Sequence, residues 1–259
     1  MGRLVLAEGD VFTPPSVKDF FLPPIFGEVT KPMVLVVLSV IIISAFFVLS
    51  SRNLKIIPGK WQFAVESVYD FGRNSIAREQ IGSKEFKPFV PFILSLFTFV
   101  LVNNIYGVIP VLQFPTMAKI GFPLALAVMV YFVYHWVGFK KFGFVGYLKN
   151  QTVPPGAPTA IYFLLTPIEF LQKFVLNPIT LAVRVFAAMF AGHLILLVFT
   201  LGGEYLLLHA AGPLKPVSIV SWAFAIAMTF LEAFIQVLQA YIFALLSANY
   251  IGMALAEDH

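Results

Sequence analysis

Charged side chains in this sequence gather in clusters, and the stretches between the clusters carry almost none. Residues 33–51, 89–118 and 120–139 are uncharged, predominantly apolar runs. As helices rising 1.5 Å per residue, each reaches across a bilayer core of ~30 Å. Asn103, Asn104, Gly107 and Pro110 place the end of the second helix inside its run. Two longer runs follow. Residues 161–201 hold just Glu169, Lys173, Arg184 and His193, and residues 217–256 hold just Glu232. A straight helix of 40 residues is ~60 Å long, so each of these runs either breaks in two or lies strongly tilted. Asn177-Pro178 could kink the first, because proline removes a donor and disfavours helix in its predecessor. The second has no proline and a single glycine, Gly252. Two long tilted helices in a hairpin are therefore favoured.

The predicted fold is an all-α polytopic membrane protein with five crossings and one interfacial amphipathic helix. It forms a single membrane domain over 1–259, with residues 1–32 as an extracytoplasmic segment and 52–87 as a cytoplasmic loop. That loop carries Arg52, Lys55, Lys60, Arg73, Arg78, Lys84 and Lys87, and the loop after the third span carries Lys140, Lys141 and Lys149. The opposite loops hold Lys119 and Lys215 alone. By the positive-inside rule the N-terminus lies outside and the C-terminus in the cytoplasm. Lys60 to Ile76 sets Trp61, Ala64, Val65, Val68 and Ile76 on one helical face and Gln62, Glu66, Asp70 and Arg73 on another, which suits an interfacial helix.

Composition agrees. Hydrophobic residues make up 59% of the chain and charged residues 12%, about half the ~25% of soluble domains. An aromatic share of 16% excludes disorder, and zero cysteine excludes disulfide scaffolds and thiolate metal sites. The net charge of +4 does not point to nucleic acid, since the basic residues flank apolar runs.

The isolated charges carry the chemistry. An arginine at mid-bilayer costs roughly 2.5–3.5 kcal/mol on insertion scales unless it faces protein or water. Arg184 shares its helical face with Ala187, Ala188 and Ala191, small residues that let another helix approach. Arginine keeps its proton, so Arg184 acts as a fixed positive charge. Glu232 continues through Gln236 and Gln239, at +4 and +7, into one polar stripe suited to hydrogen-bonded water. His193 follows Arg184 by nine residues, ~13 Å along the axis and on the opposite side. Its ordinary pKa near 6.5 suits a proton relay. Glu169 and Lys173, four apart, can pair on one face, or Glu169 can line an entrance.

Residues 178–193, PITLAVRVFAAMFAGH, resemble the signature of subunit a of F-type ATP synthases, and Glu232 through Gln239-Ala240-Tyr241-Ile242-Phe243 to the C-terminal tail is similar to that family's last helix. Asn104-Ile105-Tyr106-Gly107-Val108-Ile109-Pro110 is similar to its third-helix ending. Ala187-Ala188 stands where bacterial members commonly have Gly-Asn. The positions of His193 and Glu232 carry an acid and an imidazole in either order among members, and in the family they face each other near the outer half-channel. The resemblance implies a stator proton channel, with no catalytic site, cofactor or metal of its own, in a bacterial plasma membrane. Two offset half-channels would serve the carboxylates of a c-subunit ring, and Arg184 would separate them. His193, Glu232, Gln236 and Gln239 would form the proton pathway, with Asn103, Asn104, Glu169 and Thr180 as candidate lining. Implied partners are the c ring, peripheral stalk subunit b and lipid; nucleic acid and small substrates other than protons are not. A self-contained proton-coupled secondary transporter is the alternative, although that class favours inverted repeats and broken helices. A structural subunit would instead pair Arg184 with Glu232.

Overall fold

Proline marks where the helices start. A computed structural model describes residues 12–20, 23–52, 55–110, 112–152, 159–210 and 212–256. A short hairpin, β1 (Pro24–Phe26) and β2 (Val29–Thr30), precedes α1 (Lys31–Ser51), which has Pro32 in its first turn. The chain continues through α2 (Lys60–Asp70), a wide-turned π-helical segment Phe71–Arg78 and the single turn α3 (Glu79–Ile81). Next come α4 (Val90–Ile105), α5 (Gly121–Thr152) and α6 (Thr159–Leu171). After a second π-helical segment, Gln172–Leu176, α7 (Asn177–His209) and α8 (Val217–Leu255) complete the bundle. Pro91 lies in the first turn of α4, where the missing N–H breaks no helical bond.

Among the described residues five helices are long and apolar enough to cross a bilayer: Lys31–Ser51, Lys87–Ile105, Gly121–Thr152, Phe163–His209 and Gly212–Leu255. The last two, of 47 and 44 residues, are each more than twice as long as the ~30 Å hydrocarbon core is thick and fit it strongly inclined. Chain bounds differ from the sequence reading at three places. The second helix stops at Ile105, and residues 106–110 and 112–118 belong to a return loop with a 3₁₀ turn at Thr116–Ala118. The third continues past Phe139 to Thr152, so Lys140, Lys141 and Lys149 ride on a helix and not a loop; it bends at Gly143, whose φ of 70° is open to glycine at little cost. The fourth reaches His209. Pro178 does not break it, because the chain stays helical through Asn177 (φ −56°, ψ −51°). The proline ring would strike the Phe174 carbonyl of a regular helix, and the wider turn at 172–176 lies where that carbonyl must be displaced.

The core lies around α8. Its buried Ala240, Ala244 and Ala248 let α4, α5 and α7 approach closely, and Val100, Ile93, Leu181, Val185 and Met189 fill the space between. By contrast, α1 is apolar all round yet exposed on most sides, as suits a helix solvated by lipid. α2 buries none of its residues; its Trp61 stacks edge-on to Phe46 of α1 and donates to Ser50 Oγ at 2.9 Å. The basic ends of α4 and α5 meet the C-terminal end of α8: Lys141 pairs with Glu85 and donates to the Leu255 carbonyl, both at 2.9 Å. The C-terminal tail beyond Ala256, and residues 1–11, lie outside the described residues.

Candidate functional site

α7 and α8 run antiparallel in constant register. Gly203 meets Trp222 at one end, and ten residues on along each helix His193 meets Glu232. Side chain to backbone bonds fix this register: Ser221 Oγ donates to the Phe199 carbonyl at 2.7 Å, and Phe199 stacks on Phe224. A Cβ on Gly203 would come within 2.6 Å of the Trp222 ring, so this close crossing requires glycine.

The register brings His193 and Glu232 together in the interior. Nδ1 of His193 lies 3.7 Å from Oε1 of Glu232, with side chains 5% and 3% exposed. The separation is too long for a direct hydrogen bond and short enough for one intervening proton carrier to serve both. Gln236 Nε2 donates to the same Oε1 at 3.2 Å. From α4, Asn104 Nδ2 donates to the Gln236 carbonyl at 3.3 Å. Gly107 of the return loop makes room for this group, since a Cβ there would sit 2.8 Å from Gln236 Nε2. Phe20 and Phe114 cover His193, their rings 5.9 and 6.5 Å from its own.

This buried seam is unsaturated. Asn104 Oδ1, His193 Nδ1, Glu232 Oε2, Gln236 Oε1 and Gln239 Oε1 are all buried without a hydrogen-bond partner among the described residues. Each such atom left dry costs about 1–3 kcal/mol, so their clustering is a strong signal of a wet or functional seam. Asn103 differs. Its amide donates to Ser39 Oγ and the Phe99 carbonyl, both at 2.8 Å, while Thr116 Oγ1 donates to its Oδ1 at 2.7 Å. It ties α1, α4 and the return loop together and stands outside the seam.

Arg184 lies on the other side of α7, on an exposed strip with Thr180, Val183, Ala187 and Ala191. Among the described residues it forms no ion pair. Both carboxylates that could have claimed it are engaged elsewhere: Glu232 faces His193, and Glu169 pairs with Lys173 at 3.1 Å. Lys173 also donates to the Gln151 carbonyl, so the Glu169 pair sits at the C-terminal end of α5. Thr180 donates to the Leu176 carbonyl at 2.8 Å.

Two residues escaped the sequence reading. Tyr250 of α8 lies beside Thr180 and within electrostatic reach of Arg184. It stands 18 residues after Glu232, five full turns and hence on the same face; that spacing was readable. Phe20 carries no such signal, because a chain that precedes the first span shows its cover of His193 by contact alone. No group of three or more His, Cys, Asp or Glu side chains among the described residues could hold a metal ion.

Comparison with known proteins extends this geometry. Residues 33–252 match the family model of the ATP synthase A chain. The chain is 46% identical to an ATP synthase subunit a of Nocardioides sp., covering 98% of this chain and 96% of the relative. It is 47% identical to that of Pseudarthrobacter chlorophenolicus over 95% and 94%, and 40% identical to that of Rhodococcus erythropolis over 96% and 93%. With a family model spanning both tilted helices and relatives matched over nearly their whole length, this chain belongs to the ATP synthase subunit a family.

Proposed function

We propose that the chain, a multi-pass component of the membrane sector of an F-type ATP synthase, is the stator proton channel of that machine. The observation that carries this reading is the exposed Arg184, unpaired among the described residues and set in a small-residue strip, with a buried acid–imidazole pair behind it. An exposed guanidinium in hydrocarbon is costly, and a transmembrane partner that brings a carboxylate removes that cost. A rotating ring of c subunits brings a succession of them. A cation nearby lowers a carboxylate pKa by roughly 1–3. Each ring carboxylate therefore gives up its proton as it passes Arg184. The same charge repels protons that would cross directly between two half-channels, so the ring must turn for a proton to pass. A potential of 100 mV supplies about 2.3 kcal/mol per charge to that turning.

On the outer side, protons pass along Gln239, Gln236, Glu232 and His193, whose orphaned polar atoms suit bridging water. Asn104 joins this path, and Thr180 with Tyr250 flanks the opposite side of Arg184. The N-terminus then lies outside and the C-terminus in the cytoplasm of a bacterium, with α2 at the inner interface. Subunit b of the peripheral stalk completes the stator. A self-contained transporter fits less well, because the hairpin is unbroken and its fixed charge faces outward.

The test uses inverted membrane vesicles carrying the whole complex. Arg184→Ala is expected to abolish ATP-driven proton uptake while the complex still assembles. Normal coupled uptake in that variant overturns the proposal.

A further inference from the structure

Two cavities line up along one side of the α4–α5 pair, and they differ in chemistry. The first, about 520 Å³, sits where the basic ends of the helices converge; Lys84, Lys140, Lys141 and Glu85 line it with Phe89 and Val137. Lys141 is spent on Glu85 and the Leu255 carbonyl and forms a wall. Lys84 and Lys140 are exposed, and neither forms an ion pair among the described residues. The second, about 530 Å³, is apolar and lies between α1, α4 and α5, against Val40, Phe92, Phe99, Leu126 and Met129.

Helical spacing puts the two on the same side of both helices. Pro88, Phe92, Ser95 and Phe99 recur at four, three and four residues and so share one face of α4 and its lead-in turn. Leu126, Met129, Val137 and Lys140 likewise share one face of α5. Since the helices are antiparallel, Phe89 to Phe99 and Val137 to Leu126 cover the same ~15 Å of depth. A basic cavity and an apolar one therefore follow one another along the same side of the two helices.

We propose that this seam binds an anionic glycerophospholipid of the leaflet at the basic end. Its phosphate lies between Lys84 and Lys140, and one acyl chain lies in the apolar cavity against Phe92 and Met129. Basic pockets between transmembrane helices take such head groups, and a surface lysine contributes a several-fold gain in affinity for anionic lipid. The inference needs a bilayer around the helices, whatever the hairpin conducts.

Native mass spectrometry of the full chain in neutral detergent tests it, with phosphatidylglycerol and phosphatidylcholine of identical acyl chains as probes. Wild type is expected to retain one phosphatidylglycerol and release phosphatidylcholine. Lys84→Gln with Lys140→Gln should weaken retention roughly thirtyfold, near fivefold for each charge, with helix content unchanged by circular dichroism. Arginine at both positions should restore it, and Lys215→Gln at the far end should not matter. Met129→Trp should weaken retention of a long-chain lipid and spare a short-chain one. Equal retention of both lipids, or wild-type retention in the double glutamine variant, overturns the proposal. Displacement by millimolar inorganic phosphate also overturns it, assigning the lysines to a free anion.

Discussion

Two sides of one helix hold charge in opposite ways. On the inner side of α7, His193 is 4% exposed and faces Glu232, itself 3% exposed, under a cover of aromatic rings. On the outer side, nine residues earlier, Arg184 is exposed and unpaired among the described residues. A buried acid–imidazole pair can be neutral or charged as protons come and go, so the fold contains it without an outside partner. A guanidinium has no neutral form to retreat to. No carboxylate among the described residues supplies its counter-charge. One charged group is thus matched within the described residues and the other is not.

The sharpest way to break it is to keep the charge and change its shape. Arg184→Lys preserves a cation but loses the planar, weakly hydrated fork; coupled proton uptake in vesicles is expected to fall close to the background of Arg184→Ala. Uptake near wild type would show that any cation suffices. Next in size is the inner pair. Glu232→Leu removes the titrating group, leaves His193 facing hydrocarbon, and should cut proton uptake severely without loosening the complex. Glu232→Gln keeps the hydrogen bond from Gln236 reachable and should retain more of it. If both variants pump alike, the carboxylate is structural.

Asn103→Leu probes a polar residue outside the seam. It leaves Ser39 and Thr116 without their partner and should destabilise the subunit by about 1–3 kcal/mol, seen as a lower melting temperature of the purified complex with proton uptake per intact complex unchanged. The mildest change, Phe20→Leu, alters the cover over His193 with little loss of volume, at a cost below about 1.5 kcal/mol. Its expected trace is a small shift in the pH dependence of uptake and no loss of assembly.

The positions of the charges made most of this legible. Five crossings, the pairing of Glu169 with Lys173, and the opposite orientations of Arg184 and His193 follow from helical geometry applied to residue numbers. Helix ends were less legible. The bend at Gly143 and the uninterrupted passage through Pro178 depend on whether one residue takes a positive φ and whether a turn widens, and glycine and proline each allow more than one outcome. Asn103 and Asn104 are adjacent and identical in type, yet one is a satisfied structural tie and the other opens onto Gln236. Neighbours on a helix point 100° apart, and what each direction meets is set by other helices.

Sequence by itself determined that the chain lives in a membrane, how often it crosses, and which few ionisable groups it carries at depth, because burying charge in hydrocarbon is so costly that each exception stands out. Tertiary structure alone decided which of those groups meet. The α7–α8 register sets His193 against Glu232 and leaves Arg184 outward, and that register rests on glycine–tryptophan contact and carbonyl bonds tens of residues apart in sequence. Periodicity fixes the face on which a side chain stands; it takes the packing of a second helix to fix what stands opposite.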